Sequence, residues 1–350
     1  MSDLRYELCC LPVSGPRGAS SRYRLFQFLP LLTDAGLRHV VPLPAGKPMA
    51  GWRRMIASLA EQRQIDRLVE CSHAVLVQKR LFPSRWVARL ARQRPMAFDF
   101  DDAIFTSPTG DWSAWTRKRV ESRLQCTLTH ASTVIAGNRY LADYARQHAR
   151  DVLVLPTVLD HHRYPARQHA AGPEVVIGWI GHSVNHPYLA GMTEVLQALA
   201  KLFPIRLLVV SDRDLAISGV RVDNRRWSEA TEVEDILRMD IGIMPMPDDA
   251  WSRGKCGFKA IQYMAAGLPV VCADVGANPD IVRHEHDGFC VRTYSEWHDA
   301  LAGLCDDAEL RQRLGNSGRQ HVAGAFSLES AAPAFLQLVS RLCGQDSAAS

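Results

Sequence analysis

The sequence predicts an α/β protein of two halves, each a parallel sheet covered by helices on both faces. Three observations carry this. Short apolar runs alternate with helical patterns along the whole chain. A polar stretch, 161–173, interrupts the alternation near the middle. The length, 350 residues, fits two domains of about 150 residues or more each.

The elements follow in order. Arg5 to Leu11 is apolar and reads as a strand, and Ser14 to Ser21 is a Gly/Ser-rich loop. Tyr23, Phe26, Leu29 and Leu32, spaced by three, predict one helix ended by Gly36. A helix over 52–69, a strand over 74–77, a helix over 84–93 and a strand over 96–100 come next. A helix over 112–127 and strands over 133–136 and 152–155 close the half. The second series has strands near 175–181, 205–210, 241–244, 270–272 and 289–291. Its helices fall near 188–202, 232–239, 257–266, 297–304 and 309–323. Thr231 and Glu234 have capping-box spacing before the second of these. A last helix over 328–342 follows Ser327, which suits an N-cap. The expected boundaries are 1–160, a linker over 161–173, a second domain over 174–327 and a C-terminal helix over 328–345 packed back on the first domain. Ligands of open α/β sheets bind at the carboxyl ends of the strands, which predicts an interdomain cleft there.

Composition narrows the function. Apolar residues are 47% and charged residues 22% of the chain, which excludes low-complexity disorder. No apolar run reaches the ~18–20 residues of a membrane span, and the N-terminus lacks the pattern of a secretory signal. Nine cysteines without a Cys-x-x-Cys pair suggest reduced thiols, a cytoplasmic setting and no zinc ribbon. Charge is uneven. Through Asp160 there are 23 Lys and Arg against 14 Asp and Glu, and beyond it 18 against 23. The basic half suits an anionic lipid surface or a phosphate-bearing acceptor. No nucleic-acid motif accompanies it, so nucleic acid is not expected. The helices 84–94 and 112–119 join tryptophans to clustered cations, which fits either peripheral contact with the inner face of a membrane or solvated faces over buried Trp.

The segment from Pro245 to Val271 is the richest in chemistry. An apolar strand runs into a polar loop, then a helix begins. Amides at a helix start and the positive end of its dipole form an anion site. Gly254 and Gly257 admit a phosphate close to the backbone around Cys256, and Arg253 and Lys255 bring full charge. An ordinary basic loop is the alternative. Lys259 fits an extra phosphate contact or a solvated helix position equally. Asp101 and Asp102 follow an apolar strand, where paired carboxylates can bind hydroxyls, act as a base or cap a helix. Arg22 and Arg24 stand where a helix is expected to start, an unfavourable place for cations unless they meet an anion.

That segment resembles the donor-binding signature of glycosyltransferase family 4, retaining enzymes of the GT-B fold. Gln262 to Val271, Gln-Tyr-Met-Ala-Ala-Gly-Leu-Pro-Val-Val, is similar to the family's helix and strand. Further blocks resemble the family in the same order: Ser21-Arg22-Tyr23-Arg24, Phe98 to Ile104, Ile135 to Asn138, Leu155 to Asp160, Ile177 to Gly181 and Asp240 to Pro245. The family's Glu-x7-Glu pair falls here on Gly254 and Gln262.

The resemblance implies two Rossmann-like domains facing across a cleft, and sugar transfer from a nucleotide diphosphate sugar to a glycan, lipid-linked or small-molecule acceptor. UDP is the first expectation for the donor, with GDP or dTDP open, and neither cofactor nor metal is implied. It places Gly181, His182 and Arg253 to Gly257 at the donor phosphates, with Lys255 weighing more than Lys259. Trp227, Glu229 and Gln262 go to the nucleotide; read from the residues alone, packing suits Trp227 equally, and a solvated loop position suits His182 better than a phosphate contact. Arg22, Tyr23, Arg24 and Asn138 lie on the acceptor side, and Asp101 and Asp102 at the reaction. The family's usual Arg and Lys after the strand at 175–181 are missing, so Arg253, Lys255 and Lys259 are expected to replace their charge. Two alternatives stand beside transfer. One is a binding subunit without turnover, since both signature carboxylates are lost. The other is a nucleotide-sugar epimerase of the same fold.

Overall fold

The computed structural model describes residues 6–43, 51–107 and 110–344, with the side chains of 51–59 left aside. The expected ends at Arg5 and Gln345 lie outside these. The chain forms two compact units, 1–157 with 331–350, and 158–330.

In the first unit the strands are β1 Tyr6–Leu11, β2 His39–Val40, β3 Ser72–Gln78, β4 Met96–Phe100, β5 Thr133–Ala136 and β6 Val152–Val154. They form one sheet in the order β2-β1-β3-β4-β5-β6, with every pair parallel. Cys9 pairs with Val75, Val77 with Phe98, and Phe98 with Val134. β4 and β5 are buried at every position, which explains their unbroken apolar runs. The strand order changes direction between β1 and β3, so their carboxyl ends flank a crevice. The helix Leu328–Leu342 returns to this unit, where Phe335 stacks on Phe28 with centroids 4.4 Å apart.

The second sheet has β7 Val175–Ile180, β8 Ile205–Ser211, β9 Val222–Arg226, β10 Ile241–Met244, β11 Val270–Ala273 and β12 Gly288–Val291. Its order is β12-β11-β10-β7-β8-β9, again parallel throughout, with the switch between β7 and β10. Trp179, Leu199, Leu207, Ile243 and Leu301 lie in its core. The helix Phe258–Ala265 sits hard on the sheet: a Cβ at Gly242 would stand 2.3 Å from the Tyr263 ring.

Several expectations need correction. The single helix around 23–35 is a helix Ala19–Arg24, a 3-10 turn Phe26–Phe28 and a second helix Leu29–Asp34. Pro30 has no N–H to give and fits only in a first turn, so the helix restarts there. Arg22 and Arg24 therefore fall in the last turn of the first helix, where the dipole favours cations. The helix expected over 188–202 is divided, His186–Ala190 and Thr193–Leu202, at Gly191 and Met192. The capping box at Thr231 is not formed. Its hydroxyl bonds Ser228, and Glu234 pairs with Arg238. The capping box of this unit is Thr293 with Glu296. The segment read as a linker is tied to the second unit: Arg167 pairs with Asp240 at 2.7 Å and the His169 amide donates to Gln312. Ser327 does cap the last helix, accepting from the Ser330 amide at 3.1 Å. Among the described residues no helix is long and apolar enough to cross a membrane.

Candidate functional site

In the second unit the site is built at the carboxyl ends of β7, β8, β9 and β10. After β10 a four-residue helix, Ala250–Arg253, is capped by Asp249, whose carboxylate accepts from the Ser252 amide at 2.7 Å. The chain then turns through Gly254 to Gly257 into Phe258–Ala265. Gly257 has φ +61°, and a Cβ there would lie 2.2 Å from Ile281 Cδ1. Only glycine satisfies both demands.

The two lysines of this loop differ. Lys255 stacks on Trp251, its Nζ 4.3 Å from the ring centroid. Lys259 is half-buried, not solvated, with Nζ 4.6 Å from the Trp179 ring centroid. A Cβ at Gly181 would stand 2.5 Å from Lys259 Nζ, so the ammonium lies against the end of β7 at the switch of the sheet. Among the described residues Lys259 has no carboxylate partner. Burial, then the Lys255 charge, pull its pKa down to about 7. Such a group is set to gain a proton when an anion arrives.

The remaining donor-side residues are placed as follows. Arg253 pairs with Asp248, Nε to Oδ1 at 2.6 Å, so part of its charge is already met. Cys256 is buried. His182 is exposed, and its Nδ1 accepts from the Val184 amide at 3.2 Å. Trp227 is exposed beyond the end of β9, donating its indole N–H to Glu232, and Glu229 is exposed nearby. Gln262 is buried and donates its amide to the Tyr164 hydroxyl at 3.1 Å. Tyr263 accepts from the Ile180 amide at 2.9 Å, joining the helix to β7.

In the first unit a polar network fills the crevice between β1 and β3. Gln78, at the end of β3, accepts from the Val13 amide and the Ser21 hydroxyl, and donates to Ser20 at 2.9 Å. Ser20 in turn donates to Asp101 at 2.8 Å. Lys79 Nζ stands 3.0 Å from Asp101 Oδ1 and also bridges to Asp102. Lys79 has φ +56°, an uncommon backbone for a residue with a side chain. Burial raises the Asp101 pKa, but Lys79, Arg24 and Ser20 outweigh it and hold the carboxyl below its usual range. Behind them Arg24 and Asp99 form a buried, two-pronged ion pair, and Arg24 Nη1 donates to the Leu155 carbonyl at 2.6 Å. Arg22 is also buried, with its guanidinium over the Tyr23 ring and Nη2 donating to the Tyr23 hydroxyl. Asn138 caps the helix Arg139–Arg146, accepting from the Leu141 amide.

Lys79, Gln78, Ser20, Trp251 and Trp179 were not singled out from sequence. Lys79 follows an apolar strand and is itself followed by Arg80, which reads as ordinary surface charge.

Residues 174–307 match the model of a family described as Glycosyl transferases group 1. A D-inositol 3-phosphate glycosyltransferase of Nocardia farcinica is 37% identical over 83 residues, 23% of this chain and 18% of that protein. One from Segniliparus rotundus is 29% identical over 165 residues, 42% of this chain and 35% of that protein. The matches thus span well under half the length of these relatives. Among solved structures, sucrose-phosphate synthase from Thermosynechococcus elongatus aligns with TM-score 0.74 at 16% identity, covering 97% of this chain and all of that one. Anabaena HepE in complex with UDP and glucose aligns with TM-score 0.66 at 15% identity, covering 96% of this chain and all of that one. Residues 174–307 of the second unit thus resemble a glycosyl transferases group 1 domain, in a chain whose two-sheet α/β fold is GT-B.

Proposed function

We propose that the protein is a retaining glycosyltransferase that moves a sugar from a nucleotide diphosphate sugar to a hydroxyl-bearing acceptor, without a metal in the reaction. The observation that carries this is Lys259: an amine with no carboxylate partner among the described residues, held at the switch of the second sheet beside a glycine-lined helix start. A pyrophosphate placed there receives charge from Lys259 and Lys255 and amides from the first turn of Phe258–Ala265. Trp227 and Glu229, beyond β9, are the nucleoside side of the same row of strand ends. UDP is the first candidate base, and the UDP complex of the structurally similar HepE supports it.

The first unit recognises the acceptor. Asp101 stays ionised and is a weak base, because Lys79 and Ser20 engage it. Its role is to orient an acceptor hydroxyl. The proton passes to an oxygen of the departing phosphate, on the face the acceptor attacks. Catalysis then rests on positioning and on stabilising the charge that leaves.

A second reading has an observation of its own. Gln262, where the family has its second Glu, is buried against Tyr164, which favours a binding subunit without turnover. Thermal shifts with UDP, GDP and dTDP, followed by a sugar-release assay, separate the readings. Diphosphate stabilisation with sugar transfer supports the transferase. Stabilisation without transfer or hydrolysis supports the subunit, and no stabilisation by any nucleotide removes both.

A further inference from the structure

Three side chains outside the donor and acceptor residues converge on one point. His161 Nδ1 lies 3.5 Å from Glu329 Oε2, and His162 Nε2 lies 3.2 Å from Glu329 Oε1. One donor atom from each residue falls within 4.8 Å of the other two. We propose that His161, His162 and Glu329 bind a divalent transition metal ion of the zinc class, away from the reaction.

The donor set fits that ion. Two imidazoles and one carboxylate suit zinc, cobalt or nickel, whereas magnesium and calcium prefer oxygen alone. With metal–ligand bonds of about 2.0–2.1 Å, tetrahedral ligands stand roughly 3.3 Å apart. Each imidazole nitrogen stands near that distance from a different oxygen of the Glu329 carboxylate, so a small closure of the three side chains completes the site. His161 Nδ1 is buried and has no hydrogen-bond partner. Glu329 Oε2, at 3.5 Å, stands beyond a good hydrogen bond from it. The two rings lie with centroids 4.0 Å apart, presenting their nitrogens to the same carboxylate.

The backbone holds these groups in place without the metal. His161 and His162 belong to a single 3-10 turn, capped by Asp160, whose carboxylate accepts from the His162 amide at 3.1 Å. Glu329 stands in the first turn of Leu328–Leu342. The two segments are joined by a bridge between Leu159 and Ser327. The Leu159 amide donates to the Phe326 carbonyl at 3.1 Å, and that of Leu328 to the Leu159 carbonyl at 2.8 Å. These segments are also where the chain passes from one compact unit to the other, near 157 and again near 330. A metal here ties the two crossings to each other.

The test uses untagged, chelator-treated full-length protein titrated with Zn2+ by calorimetry, with thermal unfolding in parallel. One equivalent should bind and raise the unfolding temperature, and Mg2+ should do neither. Cobalt should give visible tetrahedral bands without a thiolate charge-transfer band, which excludes the nine cysteines as ligands. Glu329→Gln and His162→Ala, both at exposed side chains, should each weaken binding by about tenfold or more while leaving the unfolding temperature of the metal-free protein unchanged. No binding by the unaltered protein, binding by both variants as tight as that of the unaltered protein, or a thiolate band would overturn the proposal.

Discussion

Lys79 Nζ lies 3.0 Å from Asp101 Oδ1 and bridges Asp101 to Asp102, from a backbone held at φ +56°. A strained residue that joins two carboxylates at the mouth of a sheet crevice marks the acceptor side of the proposed reaction. Lys79→Ala should raise the acceptor KM and leave the affinity for nucleotide diphosphate unchanged. Lys79→Gly loses the same ion pairs but relieves the left-handed backbone. It should be more stable than Lys79→Ala by about 1 kcal/mol, as read from denaturant midpoints. Equal stabilities would remove the strain argument.

The Arg24–Asp99 pair is almost wholly buried, with side chains 2% and 3% exposed. Deleting one partner leaves the other charge without compensation, which costs about 3–5 kcal/mol. Arg24→Met should therefore lower the stability of the first unit by that order. The change should be visible in denaturant unfolding without any ligand. A loss under about 1 kcal/mol would mean that water reaches the pair.

Much of this was legible in the sequence, and the misses have physical causes. The helix 84–93 and the strands 96–100, 133–136 and 241–244 appear where the apolar runs place them, because fully buried parallel strands leave no other reading. β9, Val222–Arg226, was not read as a full strand because it is a half-exposed edge carrying Asp, Asn and two Arg. The tight turn into Phe258–Ala265 was legible through Gly254 and Gly257. The half-buried setting of Lys259 was not, since only the fold brings Trp179 and Gly181 against it. Nor can a sequence show that Lys79 adopts positive φ, a conformation with no residue-type signal in lysine.

Gly257→Ala should be costly on two counts. The left-handed backbone penalises any L side chain, and the new methyl meets Ile281. A destabilisation of about 2 kcal/mol or more is expected, together with loss of diphosphate binding as the first-turn amides are re-aimed. Calorimetry and unfolding on the same preparation check both. Unaltered affinity would show that those amides do not hold the ligand.

Lys259 gives the protein a defined pH signature. Its pKa is about 7 when folded and about 10.4 in an unfolded chain, so between these values the unfolded state binds more protons. Stability from this group therefore rises as pH rises from about 7 to about 10.4. Lys259→Met should flatten that part of the stability profile. The same group should take up a proton when diphosphate binds near pH 8, but not near pH 6. Titrations in buffers of different ionisation enthalpy measure the uptake, and zero uptake at both pH values would contradict the assignment.

The most direct test of the donor site is UDP affinity in Lys259→Met, measured calorimetrically at pH 6 beside the unaltered protein. Loss of a charged contact of about 1.5–3 kcal/mol, roughly ten- to hundredfold in Kd, with unfolding temperature maintained, is the predicted result. An unchanged Kd in a folded variant would contradict the placement of the diphosphate at the end of β7.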